Sequence, residues 1–222
     1  MNATDTPFKE EEVKDYERRR YRGLDQRLVH GRERRLLNKI MRELPDSRRT
    51  ALDLPCGYGR FSNLLSEHGY IPVSCDYSLE MVRRARTKHR DSRDDIGLGC
   101  VADAKKSLPF RRQAFDLVFC MRFFHHVRVE EERRSILEEF ASVSRGYAIC
   151  SFYQTLKLHE WQRRLRKKFG KSRAPIKMIS RREFLESAGR AGWKPVGIYP
   201  LFRGLHAQHI VLLHRSETKL DP

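Results

Sequence analysis

The run Leu52-Asp53-Leu54-Pro55-Cys56-Gly57-Tyr58-Gly59-Arg60 places an acid, a thiol and two glycines where an apolar segment gives way to an amphipathic one. Glycines at such a strand-to-helix turn let the backbone approach a ligand closely, and the helix N-terminus behind them offers unpaired N–H groups. Asp76 closes the next apolar run, 17 residues after Gly59. A carboxylate there can accept both hydroxyls of a ribose. Asp103 ends a third run in Val101-Ala102-Asp103-Ala104, where its side chain can accept from the exocyclic amine of an adenine. The fourth run, Phe115 to Cys120, leads into Met121-Arg122-Phe123-Phe124-His125-His126-Val127. Four strand ends in order, three of them with an acid or glycine turn suited to adenosine, form a specific constellation.

Positioning those ends requires alternating strands and helices. Residues 8–45 read as helix, with Leu28, Val29, Leu36, Leu37, Ile40, Met41 and Leu44 as its apolar stripe and Pro45 as its stop. Expected strands are 50–54, 71–75, 98–102, 115–121 and 147–152. Helices separate them at 60–68, from Ser78 to about residue 89, and from Glu130, where three glutamates complement the helix dipole. Ser180 and Glu183 have capping-box spacing for a helix that stops at Gly192. Strands are then expected at 195–199 and 209–214, about ten residues apart; without room for a crossover helix they must pair antiparallel. The alternation calls for a mostly parallel sheet with helices on both faces, with ligands bound beyond the carboxyl ends of its strands.

Over residues 50–152 the sequence resembles the class I S-adenosylmethionine-dependent methyltransferases, in particular the broad group containing quinone-biosynthesis and other small-molecule methyltransferases. The closing helix and strand pair at 180–214 agree with that family in layout. Its first motif reads hydrophobic-Asp-hydrophobic-Gly-Cys-Gly-x-Gly; Pro55 here replaces the first glycine, fixing one φ and removing an N–H. The resemblance implies a Rossmann-like α/β fold, a seven-stranded mostly parallel sheet with an antiparallel last strand. It also implies S-adenosylmethionine as cofactor and S-adenosylhomocysteine as product. Asp53 and the loop Pro55, Cys56, Gly57 and Gly59 would then hold the methionyl part. Asp76 would bind the ribose, with Tyr77 and Met81 against the adenine. Asp103 and Ala104 would contact the adenine edge, and the backbone near Cys120 would receive the methionyl amine.

Each of these residues has a structural reading beside the functional one. Asp53 can cap the following turn, Asp76 can cap the helix at Ser78, and Asp103 can serve ordinary turn chemistry. Asp116 is expected to stabilise the start of its strand. His125, His126 and Arg122 are the catalytic candidates, although methyl transfer needs a base only when the acceptor must lose a proton. Nicotinamide-dinucleotide binding would want a third glycine where Ser62 stands, and no Gly-Lys-Ser or Gly-Lys-Thr of a P-loop occurs.

The 222 residues carry a formal charge of +17, and the excess is uneven. Between Lys157 and Arg182 lie eleven lysines and arginines and a single acid, Glu160. A basic helix is expected at 157–171, with Leu158, Trp161, Leu165 and Phe169 on one face and Arg163, Arg164, Arg166, Lys167 and Lys168 mostly outward. Such a field suits an anionic partner: a small acidic acceptor, nucleic acid or an acidic membrane surface. Arg163, Arg164, Lys167, Tyr16 and Tyr21 are the substrate-side candidates, with a solvated surface as the alternative.

The five cysteines, Cys56, Cys75, Cys100, Cys120 and Cys150, are odd in number and lack CxxC spacing, so buried free thiols are expected. The nine histidines show no ligand spacing, and no metal is expected. No apolar run reaches the roughly 18 residues of a membrane span, and the charged N-terminus lacks a secretory h-region, so a cytoplasmic location is expected. The expected organisation is a helical cover over 1–45, a methyltransferase domain over 46–216 and a tail at 217–222. The leading expectation is a methyltransferase acting on a small-molecule or lipid-linked, anionic acceptor. RNA methylation through the 157–182 segment and a non-catalytic scaffold on the same fold are the rivals.

Overall fold

The computed structural model describes residues 12, 15, 24–45, 49–89, 98–127, 129–154, 178–202, 204 and 206–216. In chain order the elements are α1 (Leu24–Arg42), β1 (Arg49–Asp53), α2 (Ser62–Glu67), β2 (Tyr70–Asp76), α3 (Leu79–His89), β3 (Gly99–Val101) and β4 (Phe115–Cys120). A 3-10 turn at Phe124–His126 follows, then α4 (Glu130–Val143), β5 (Ser144–Tyr153), α5 (Arg181–Arg190), β6 (Trp193–Pro200) and β7 (Gln208–Arg215).

The seven strands form one sheet in the order β3-β2-β1-β4-β5-β7-β6. β1 to β5 pair in parallel, and β7 inserts antiparallel between β5 and β6. The short link before β7 gives the expected antiparallel closing pair, with β7 on the inside. Helix α4 runs straight into β5 at Ser144, three residues before the strand expected from the apolar run. β3 is shorter than expected, and α1 ends at Arg42, three residues ahead of Pro45.

Period-two alternation sends successive strand residues to opposite faces. Ala51, Leu117, Phe119, Ile149, Ile210 and Leu212 meet Leu37, Ile40 and Met41 of α1 and Leu64 and Leu65 of α2. Leu52, Val118, Ala148, Cys150, Val211 and Leu213 meet Ile136, Leu137 and Phe140 of α4 and Phe184 and Ala188 of α5. Each buried leucine or phenylalanine contributes roughly 1.5–3 kcal/mol. Trp193, fully buried, satisfies its indole by donating to the Leu137 carbonyl at 2.9 Å.

Local signals agree with this packing. Ser180 Oγ accepts the Glu183 N–H at 3.1 Å, while Glu183 returns a carboxylate to the Ser180 N–H at 2.7 Å. Gly192, at φ +83°, follows the end of α5. Asp116 staples the strand starts, accepting from the Thr50 N–H at 2.9 Å and from Arg145 at 3.0 Å. No helix among the described residues is long and apolar enough to cross a membrane.

Candidate cofactor site at the carboxyl edge of the sheet

Strand register brings the expected residues to one edge. Asp53 lies opposite Ser74 on one side and Phe119 on the other, and Asp76 lies opposite Val101. Beyond the strands the backbone stays tied: the Leu54 N–H donates to Phe119, Cys56 to Cys75, and Ala102 to Asp76, at 2.8–3.0 Å. The Leu54–Pro55 peptide bond is cis. Gly57 and Gly59 follow at φ +53° and +76°, the left-handed region that glycine enters without steric cost. A Cβ at Gly57 would meet nothing within 4 Å, whereas one at Gly59 would stand 2.8 Å from the Ala85 Cα of α3. One glycine leaves the edge open, and the other lets the turn close on a helix.

The acids carry the electrostatics. Asp76 accepts the Gly57 N–H through Oδ2 and the Ser78 N–H through Oδ1, both at 3.0 Å, which leaves lone pairs on each oxygen. Burial nevertheless raises its pKa. Asp53 is 3% exposed, and its Oδ2 has no hydrogen-bond partner. Burial first and the Asp76 charge second hold its pKa well above the usual carboxylate range. A buried acid and a half-buried one, repelling each other beside an open glycine turn, make a seat short of positive charge. A ligand bringing hydroxyls, an ammonium or a sulfonium would fill that need.

Asp103 sits half-buried on the turn after β3, where its Oδ1 accepts the Lys105 N–H at 3.0 Å, the turn role weighed from the sequence. Ala104 is buried beside it. Tyr77 is 46% exposed next to Asp76, and Met81 packs against Tyr58. Cys120 is fully buried at the end of β4, and burial raises its thiol pKa. All five cysteines are free; Cys75 and Cys100 stand side by side on β2 and β3 with sulfurs 3.2 Å apart. Cys120 and Cys150 are likewise in register on β4 and β5. Tyr16, Tyr21, Arg163, Arg164, Lys167 and the rest of the expected basic helix lie outside the described residues.

Beyond β4 and β5 the edge is aromatic. The His125 ring lies 3.9 Å from His126 and 5.0 Å from Tyr153, and Tyr153 lies 6.3 Å from His206. Burial, then the Lys105 charge, lowers the His126 pKa, so its ring is neutral at pH 7. A neutral imidazole can accept a proton.

One residue went unnoticed in the sequence. Glu33 of α1, fully buried, accepts from Arg122 Nε and Nη2 at 2.8 Å each, from Gln208 at 2.7 Å, and from Arg60. It joins α1 to the residue after the glycine turn, the second residue after β4 and the start of β7. Arg122 itself has φ +58°, and its N–H donates to Ser151 at 2.7 Å. A non-glycine residue in that region needs its surroundings to hold it, and this network does so. Among the described residues no group of His, Cys, Asp and Glu has the makings of a metal site.

Comparison with known proteins agrees with this geometry. Residues 52–151 match the family described as a methyltransferase domain. No curated protein is similar to the chain in sequence. Among solved structures, the fold is similar to magnesium protoporphyrin IX methyltransferase from Synechocystis PCC 6803 with bound S-adenosylhomocysteine. That match has a TM-score of 0.74 at 19% identity, covering 91% of this chain and 94% of the other. A SAM-dependent methyltransferase from Methanosarcina mazei matches with a TM-score of 0.66 at 19% identity, over 80% of this chain and 97% of the other. The chain is also similar to a structure of the Haloferax volcanii Trm112 methyltransferase activator with a putative methyltransferase. There the TM-score is 0.63 at 20% identity, over 92% of this chain and 93% of the other.

Proposed function

We propose that the chain is a class I S-adenosylmethionine-dependent methyltransferase, as the methyltransferase-domain match over residues 52–151 supports, and that its acceptor is a small or lipid-linked molecule with an anionic group. The observation that carries the site assignment is the orphaned Oδ2 of buried Asp53, beside Asp76 and an open glycine turn. S-Adenosylmethionine supplies an electrophilic methyl group on a sulfonium, together with the hydroxyls, amine and ammonium that those acids lack.

In this reading Asp76 binds the ribose, Asp53 and the turn from Pro55 to Gly59 hold the methionyl part, and Asp103 and Ala104 face the adenine edge. Tyr77 covers the ring, with Met81 beneath. The backbone at Cys120 receives the ammonium. Residues 1–45 serve as a cover, anchored through Glu33. Alignment and exclusion of water do most of the catalytic work, because the sulfonium charge disappears as the new bond forms. His125 and His126 hold a proton only if the acceptor has one to lose.

Support for a small acceptor is the aromatic edge beyond β4 and β5, and the magnesium protoporphyrin IX methyltransferase is by name an enzyme of a small molecule. Calorimetry with S-adenosylhomocysteine, followed by mass-spectrometric detection of a one-methyl gain across metabolite pools, tests the reading. Absence of binding would return the chain to a scaffold role. Reversing Arg163, Arg164 and Lys167 to Glu should raise the acceptor's KM and leave cofactor affinity alone.

A second reading, RNA methylation, is favoured by the basic excess between Lys157 and Arg182. A cleft of about 460 Å³ lined by Arg35, Asn38, Lys39, Arg42 and Glu43 adds cationic surface on α1. Phosphate contacts make such binding steeply salt-dependent, so a gel-shift titration at two salt concentrations decides it. Salt-independent or absent binding removes the RNA reading.

A further inference from the structure

The cluster around Glu33 carries an unbalanced charge. Two guanidiniums, Arg60 and Arg122, face one carboxylate, and their side chains are only 10% and 12% exposed. His30 does not add to the count. Its Nδ1 accepts from Arg60 Nε at 3.1 Å, and burial, then the charges of Arg60 and Arg34, hold its pKa down to about 4. Gln208 is neutral. Among the described residues one positive charge is therefore left over in a nearly dry setting, where uncompensated charge is costly.

The donors point to where the partner belongs. Arg122 spends Nε and Nη2 on Glu33, and Arg60 spends Nε and Nη2 on His30 and Glu33. The Nη1 group of each has no acceptor among the described residues. Arg122, Ser151 and Gln208 belong to the ends of β4, β5 and β7, the half of the edge away from Asp53, Asp76 and Asp103. Gln208 in turn accepts from the Tyr153 hydroxyl at 3.5 Å, so the ring wall of Tyr153, His125 and His206 begins one residue from the cluster.

We propose that Arg60 and Arg122, held in place by Glu33, form a seat for a carboxylate carried by a ring-containing acceptor. A single excess charge matches a singly charged carboxylate, and a guanidinium presents the paired donors that a carboxylate accepts. The neighbouring rings, inclined to one another by 47–66°, supply edges and faces for the rest of the molecule. The inference rests on the methyltransferase reading only in taking the β4–β5–β7 half as the acceptor side.

Benzoate serves as the probe and benzyl alcohol as its neutral counterpart, each titrated by calorimetry into protein saturated with S-adenosylhomocysteine. The expected result is at least tenfold preference for benzoate, lost in Arg122→Met, with S-adenosylhomocysteine affinity within twofold of the parent. Arg122→Lys, which keeps the charge but loses the fork, should retain part of the preference, and it carries the test if thermal melting shows the methionine variant unfolded. Equal binding of the two probes overturns the seat. So does a loss in Arg122→Met that falls on S-adenosylhomocysteine alone, which would give the seat to the cofactor's own carboxylate. Failure of S-adenosylhomocysteine to bind the parent protein would instead overturn the methyltransferase reading.

Discussion

Asp76 holds the Gly57 N–H at 3.0 Å, so the acid that ends β2 fixes the open corner of the turn that follows β1. In the proposed reading ligand binding and turn geometry share one carboxylate, which should make substitutions there costly twice over. Asp76→Ala should weaken S-adenosylhomocysteine binding by about 10- to 100-fold, the loss of roughly 1.5–3 kcal/mol expected for hydrogen bonds to a charged group. Asp76→Asn should fare little better, because its amide turns an NH₂ towards one of the two backbone donors now satisfied. Calorimetric affinities within twofold of the parent for both variants would separate Asp76 from the cofactor.

Asp53 should make the ligand-free protein less stable as the pH rises. Its folded pKa is raised by burial and by Asp76, so between the unfolded and folded values the native chain binds more protons than the unfolded one. Stability from this group is present at low pH and lost as the pH climbs through the folded value. Asp53→Asn removes the charge. Its thermal midpoint should exceed that of the parent at pH 8, by a gap that narrows at pH 5, while cofactor affinity falls. An identical gap at both pH values would refute the assignment.

The half of the edge proposed to face adenosine was legible in the sequence because each acid stands at the end of an apolar run, with turn-forming residues close behind it. Parallel alternation then brings those ends together without further information. Asp103 needed the structure to show its bond to the Lys105 N–H, since a strand-end aspartate reads the same in either role. Glu33 was illegible for a different reason. In Gly31-Arg32-Glu33-Arg34-Arg35 it looks like one charge on a solvated helix face. Its partners stand 27, 89 and 175 residues away, and only the pairing of β1 with β4 and of β5 with β7 makes them neighbours. The thiol pairs Cys75–Cys100 and Cys120–Cys150 depend on strand register in the same way.

The two glycines of the turn should respond differently to alanine. At Gly57 a methyl group meets open space, so Gly57→Ala carries only the left-handed backbone penalty, about 1–2 kcal/mol. At Gly59 the same penalty is joined by a 2.8 Å approach to the Ala85 backbone, which has to move with α3. Overpacking of that kind adds about 1–3 kcal/mol. Urea denaturation should therefore rank Gly59→Ala clearly below Gly57→Ala; equal midpoints would mean that α3 yields freely.

Glu33 and Glu67 both pair with arginines, yet burial should separate their contributions. Glu67 meets Arg34 with about half of each side chain in water, where a salt bridge contributes about 0–1 kcal/mol. Glu33 is sealed from solvent and answers two guanidiniums at once. Removing it leaves both charges without their counter-ion in a poorly hydrated setting, for which the expected cost is about 3–5 kcal/mol. Glu33→Ala should accordingly lower the urea midpoint far more than Glu67→Ala, and hydrogen exchange should place the largest loss of protection in α1. Should the two variants unfold together, the cluster would be a bystander, and the anchoring of α1 would have to rest on its apolar face alone.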